Sequence, residues 1–369
     1  MMPILRPTIA EVDLTKLTRN LQKVRSQVGP QTQLLAILKA NAYGHGAVKI
    51  GQHIEENKLA HWFGVASVEE GIALREAGLK TPILVLGSIY PFEAFEYAIK
   101  YDLAVTIASL RAAQAVCDVA AKLGKKAVCH LKQDTGMGRI GTRRGGVVKM
   151  MEFLHQNPHA VLDGLYSHLA SVESDPAYTE QQIGYFRDSL TNMQLRNIHV
   201  PHIHLAASAA LVARPDVHYT LVRPGHSIYG LEKGYEPILS LKTRVVYVKD
   251  IPAGFSVSYN RSFIATSPVK VATLPLGYGD GYLRALSNKA DVLIRGQRCR
   301  VLGNVTMDMM MVDISHVPHV SVGDEVVAVG RQQGEEVTLS ELADLAGTID
   351  YEICTQLNAR VPRVYKLAI

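Results

Sequence analysis

Lys39 stands in the string Leu38-Lys39-Ala40-Asn41-Ala42-Tyr43-Gly44-His45-Gly46, immediately after the apolar run Leu34 to Leu38. An ammonium at the end of a buried strand is partly desolvated, which lowers its pKa and frees the amine to form a Schiff base with an aldehyde. The competing reading is a lysine that snorkels at a strand end. Tyr166-Ser167-His168 closes another apolar run. Taken alone, His168 reads equally well as a core histidine, and its strand-end position favours an active-site one. Cys117, Cys129, Cys299 and Cys354 show neither CxxC pairing nor the spacing of metal ligands. Reduced thiols are therefore expected, with no disulfide and no metal.

Positioning such groups is the work of the surrounding elements. From Asp13 to Val28, Leu14, Leu17, Leu21, Val24 and Val28 recur at spacings of three and four, so a helix with one apolar face is expected. Asp13 caps it and Gly29-Pro30 stops it. Leu34 to Leu38, a glycine-rich turn and a helix over Ala47 to Glu56 follow as strand, loop, helix. The unit repeats at Phe63 to Ala66, where Ser67 and Glu70 read as a capping box for a helix running to Gly78. Further runs at Ile83 to Leu86, Leu103 to Ile107, Ala127 to Leu131, Leu162 to Tyr166, Ile203 to Ala206 and Leu221 to Tyr229 bring the series to about eight. Strands that alternate with helices and have no polar face pair in parallel and are buried on both sides. A (β/α)8 TIM barrel over 13–234 is the reading, with an open doubly wound sheet as runner-up.

After Gly234 the texture changes. Ser240 to Val248, Val269 to Thr273, Asp291 to Ile294, Met309 to Ile314 and Glu325 to Val329 are rich in Val, Ile and Met, with glycine-containing turns between them. A C-terminal, mainly-β domain over 235–369 is expected, with one small helix at Ser340 to Leu345 and an added strand from residues 1–12. A chain of 369 residues suits two such domains, since single cores stop growing near about 250–300 residues. Its 39 basic and 34 acidic side chains are interspersed, which gives no support to a nucleic-acid partner. No apolar run approaches the roughly 20 residues of a membrane span, and no secretory signal is legible, so a cytoplasmic location is expected.

Four strings together carry a resemblance. Lys39 to Gly46, His130-Leu131-Lys132-Gln133-Asp134-Thr135-Gly136-Met137-Gly138-Arg139, Arg223-Pro224-Gly225 with Tyr229-Gly230, and Gly277-Tyr278-Gly279-Asp280-Gly281 resemble the alanine racemase family, in family order. The family joins a (β/α)8 barrel to a β domain and uses pyridoxal 5′-phosphate. The resemblance assigns the cofactor's aldehyde to Lys39. It also implies a homodimer with shared active sites and a small amino acid as substrate, L- and D-alanine being interconverted to supply peptidoglycan. A serine or broad-specificity racemase of the same fold is the alternative, because one methylene or hydroxyl is a matter of pocket shape. A decarboxylase of the same superfamily or a cofactor carrier lacks the two-base pair.

Racemisation removes a proton from one face of Cα and returns one to the other, so two acid–base groups must flank the substrate. The resemblance makes Lys39 one of them and Tyr259, in Val257-Ser258-Tyr259, the other, with a hydrogen-bonded chain through His168 to Arg223. Arg223 would face the cofactor's pyridine nitrogen. A guanidinium stays protonated, so the ring is a weaker electron sink and racemisation is favoured over transamination. Arg139 would lie between the cofactor's phenolic oxygen and the substrate carboxylate, and Lys132 matches a lysine that is carbamylated in several relatives. Tyr43, Ser208, Gly225 and Tyr351 would hold the phosphate. Tyr278, Arg284, Met307 and Asp308 match positions that line the substrate's access or touch its carboxylate. Ala207, His226 and Asn304 depart from residues common in the family.

Overall fold

The computed structural model describes residues 5–367. The chain divides into two compact units. One comprises Leu17–Ala42 and Ala47–Glu236; the other gathers the chain up to Lys16, Tyr43–Gly46 and the chain from Pro237 onward. Strand β1 (Ile9–Asp13) belongs to the second unit. Residues 1–4, where part of the strand expected over 1–12 falls, lie outside the described residues.

The first unit is built on β2 (Gln33–Ile37), β3 (Trp62–Val65), β4 (Ile83–Val85), β5 (Leu103–Ile107), β6 (Ala127–Lys132), β7 (Ala160–Tyr166), β8 (His202–His204) and β9 (Leu221–Val222). All pair in parallel in the order β8-β7-β6-β5-β4-β3-β2-β9. An Ala207–Arg223 bridge, with Arg223 N donating to Ala206 O, joins the two ends of this order, as a (β/α)8 barrel requires. Every residue of β3 and β5 is buried, which explains why these runs lack alternation.

Local chemistry accounts for most of the boundaries. The helix Leu14–Gln27 starts where Asp13 Oδ1 accepts from Lys16 N, and it buries Leu17, Leu21 and Val24. Two readings of this first unit need correction. Leu221 to Tyr229 is not one strand: β9 ends at Val222, and His226–Tyr229 is a helical turn. Pro224, with no N–H to give a ladder, breaks the run. Nor is the capping box complete. Ser67 Oγ accepts from Glu70 N, but the Glu70 carboxylate turns instead to the backbone of Ala40 and Ala66.

The second unit is a ten-stranded sheet. Its path runs β11 (Tyr247–Ile251), β14 (Val269–Leu274), β17 (Met310–Asp313), β16 (Gln297–Leu302), β15 (Asp291–Ile294), β18 (Glu325–Gln332), β10 (Leu239–Arg244), β1 and β20 (Arg363–Lys366), with β19 (Glu335–Val337) off β18. The expected strand Ser240 to Val248 is in fact two, β10 and β11. A separate hairpin, β12 (Ser256–Val257) with β13 (Phe263–Ile264), packs through Val257 and Phe263 on Ile251, Val269, Val271 and Leu302. The expected helix is present as Leu339–Ala346, and a second, Asp350–Gln356, was not legible.

Candidate active site

Lys39 lies two residues past β2, where the backbone turns left-handed. Ala40, Asn41, Ala42 and Tyr43 have φ of 51°, 53°, 55° and 52°. A left-handed turn costs an L-residue roughly 1–2 kcal/mol, so four in succession need outside support. Glu70 provides it on one side, its two oxygens each accepting at 2.7 Å from Ala40 N and Ala66 N. Asn41 Oδ1 accepts from Ala47 N at 2.9 Å on the other. Burial lowers the pKa of the Lys39 amine, and the charges of Arg139 and Arg223 lower it further against the opposing pull of Glu70.

The other expected groups of this unit also follow strand ends, as active-site groups of such barrels do. Lys132 is the last residue of β6, His168 lies two past β7, and Arg223 directly follows β9. Burial, with Arg223, Arg139 and Lys39 adding, pushes the Lys132 amine down to about 7. Among the described residues it makes no hydrogen bond; it lies 5.2 Å from the centre of the Tyr166 ring. His168 is pushed down to about 3 by burial and by all four cations, so it is a neutral imidazole at physiological pH. Arg139 is exposed on the loop after β6, whose Asp134 Oδ1 accepts from Gly136 N and Gly138 N at 3.0 Å each. So dense a set of cations calls for an anionic ligand.

Arg223 is buried, and its terminal nitrogens are fully engaged. Nη1 donates to His204 O and His204 Nδ1, both at 2.9 Å; Nη2 donates to Ser167 O at 2.7 Å, Leu205 O at 3.0 Å and His168 Nδ1 at 3.4 Å. Nε has no partner among the described residues. Ser208 Oγ accepts from Gly225 N at 3.0 Å and from Ser227 N at 3.4 Å, which joins two of the expected phosphate residues. Ala207, at the start of the helix Ser208–Ala213, provides no side-chain cap.

The remaining candidates belong to the second unit. Tyr43 and Tyr351 meet edge to face at 6.4 Å, and burial, with Tyr351 adding, raises the Tyr43 phenol to about 12. Gly44, at φ 81°, lies against the Cys354 carbonyl, where any Cβ would collide. Tyr259 is 71% exposed and follows Ser258, whose φ is 67°. Asn304 grips this turn: its Nδ2 donates to Tyr259 O at 2.9 Å and its own carbonyl accepts from Ser258 Oγ at 2.6 Å. Tyr278 and Met307 are brought together, since Tyr278 N and Gly279 N donate to Thr306 O and Met307 O. Asp308 accepts from Arg360 at 2.6 Å. Arg284 lies on the short helix Arg284–Leu286. Sequence reasoning missed the supports Glu70 and His204 and the grip of Asn304; only the polar type of each side chain hinted at them.

Fold and strand-end cations define the class: a barrel enzyme with an attached β domain. Comparison makes it particular. Residues 12–233 match the family model "Alanine racemase, N-terminal domain", and residues 238–365 match "Alanine racemase, C-terminal domain". The chain belongs to the alanine racemase family. It is 43% identical to an alanine racemase of Symbiobacterium thermophilum, over 98% of this chain and 97% of that one. It is 38% identical to one of Halothermothrix orenii, over 98% of each. The solved alanine racemase of Clostridium difficile 630 superposes with a TM-score of 0.93 at 34% identity, covering 99% of this chain and 97% of that one. That of Bacillus anthracis with bound L-Ala-P gives 0.92 at 32%, covering 99% and 96%.

Proposed function

We propose that this chain is a cytoplasmic enzyme that interconverts L- and D-alanine for peptidoglycan, with pyridoxal 5′-phosphate held on Lys39. The observation that carries this is the donor set around Arg223. Both Nη atoms are committed to carbonyls and histidines while Nε has no partner among the described residues, which suits a single acceptor such as a pyridine nitrogen. When bound, the cofactor supplies an aldehyde and an electron-withdrawing ring that makes the substrate's Cα–H acidic.

The chain's own residues do the rest. Lys39, its amine lowered by burial, takes or returns a proton on one face of Cα; Tyr259 serves the other face. His168 stays neutral at an ordinary pH, so its Nδ1 accepts from Arg223 and its Nε2–H is left to meet the Tyr259 phenol. Arg139 orients the substrate carboxylate. Ser208, Gly225, Tyr43 and Tyr351 hold the phosphate, and Tyr278, Met307 and Asp308 border the substrate. A Lys132 amine lowered to about 7 is partly unprotonated at neutral pH, the form that adds to carbon dioxide, loses a proton and becomes a carbamate anion among these cations.

The functional division is 13–234 for the cofactor and 235–369 for the second base, with residues 1–12 adding a strand to the latter. A homodimer completes each site, Tyr259 coming from the partner; the exposure of this phenol in the single chain supports that. Borohydride reduction of the loaded protein should leave a cofactor adduct on Lys39, and chiral chromatography should show both alanine enantiomers from either one. An adduct on another lysine would sink the assignment.

A further inference from the structure

Between β6, β7 and β8, inside the barrel, lies a row of groups that the proposed proton transfers do not use. His204 Nδ1 accepts from Arg223 Nη1 at 2.9 Å, His204 Nε2 lies 2.9 Å from His130 Nδ1, and His130 Nε2 lies 3.3 Å from Asp163 Oδ2. His130 and His204 have no exposed surface.

Chemistry fixes the direction of every proton in this row. A guanidinium only donates, so His204 must receive at Nδ1 and carry its hydrogen on Nε2. That hydrogen points at His130 Nδ1, which must therefore be bare, so His130 carries its hydrogen on Nε2 and gives it to Asp163. A carboxylate only accepts, and the row closes without conflict. We infer that Asp163, His130 and His204 form a one-way hydrogen-bond wire that orients Arg223 and matches its charge from inside the barrel, making Asp163 a positioning residue for the racemase site.

Two backbone features are shaped to this row. The β6–β7 register shifts between Cys129 and His130: Cys129 pairs with Leu162 and His130 with Gly164, so Asp163 is the extra residue of a bulge. Bulges re-aim side chains and are common beside active sites. At Gly164 a Cβ would collide with the His130 ring, so glycine there makes room for the imidazole. His202 stacks on His130 at 5.8 Å and brings its own Nε2 within 3.5 Å of Asp163, while Trp62 meets both rings edge-on. Burial lowers the pKa of both His130 and His204, with Arg223 adding, so the wire runs through neutral rings between a cation and an anion. Burial opposes ionisation of Asp163, but the hydrogen bond from His130 and the neighbouring histidines outweigh it and lower its pKa.

The inference rests on Arg223 as the pyridine's partner, but its test does not. Nitrogen-15 NMR of histidine-labelled protein, cofactor-free and loaded, should show His130 and His204 each protonated on Nε2 alone. Asp163→Leu should release both from that single tautomer, and Asp163→Glu should restore it. In turnover, Asp163→Leu should lower kcat about tenfold with KM little changed, the low end for loss of an outer carboxylate–histidine partner, and Glu should recover most of it. A proton on His204 Nδ1 in the wild type overturns the wire. So does an unchanged His204 signal in a folded Asp163→Leu variant. The wild-type spectrum decides the direction even if that variant fails to fold. Because the cofactor-free spectrum is read as well, failure of the wire is distinguishable from failure of the Lys39 assignment.

Discussion

The strand ends of the barrel and the turn that carries Tyr259 prepare the side chains of the proposed site in opposite ways. At the strand ends, burial and crowded cations reshape the groups themselves: Lys132 falls to about 7, His168 to about 3 and Arg223 to about 10. On the β unit, Tyr259 is 71% exposed, and what is prepared is its backbone, through Ser258 and the grip of Asn304. One half is tuned by desolvation and the other is presented. A presented group has its function only when something is brought to it, which suits a site completed by a partner subunit.

Mixing mutants breaks this comparison most sharply. On the proposed shared-site dimer, Lys39→Ala and Tyr259→Phe proteins should each be nearly inactive, because every site would lack one base. Refolded together at equal ratio, half the dimers are mixed and one site in each mixed dimer is intact, so activity should rise to about a quarter of wild type. A mixture as inactive as its parents would put both residues on one chain.

Stability against pH sharpens the desolvated half. An unfolded Lys132 holds its proton up to about pH 10.4, while the folded one releases it near 7. Between those values the unfolded state binds more protons, so this group makes stability rise with pH, by up to about 1.4 kcal/mol per unit. The penalty is complete below pH 7 and gone above about 10. In cofactor-free protein kept free of carbon dioxide, Lys132→Met should therefore raise Tm most at pH 7 and below, the gain fading toward pH 10. A gain that is uniform across that range would mean that packing, not charge, is responsible.

The presented half should respond more mildly. Asn304→Ala removes the hydrogen bond to Tyr259 O, worth about 1 kcal/mol, so kcat should fall about fivefold with cofactor retention unchanged. Weakened cofactor binding in an equilibrium titration would show that Asn304 serves a different part of the site.

Much of the fold was legible because its signals are local. Periodicity located the helix Leu14–Gln27 within one residue at each end, and continuous apolar runs located the barrel strands within one or two residues at most ends. The miss at Leu221 to Tyr229 came from weighing hydrophobicity above Pro224, whose missing N–H ended the strand. Lys39 and His168 could be singled out because a polar residue at the end of an apolar run is itself a signal. Glu70 was read as a cap because Ser67 stands three residues before it, while its actual partners are far away or off that pattern.

Chain order and residue type by themselves determined the two-part architecture, the eight strand–helix units and the family strings that name Lys39, Arg139 and Arg223. Only the tertiary structure decided the left-handed turn after Lys39, the engagement of both Nη atoms of Arg223, and the direction of the row from Arg223 to Asp163. The physical reason is range. Helical and strand periodicity is written within ten or so residues, but the environment of a buried charge is the sum of groups from many strands, and no window of sequence contains that sum.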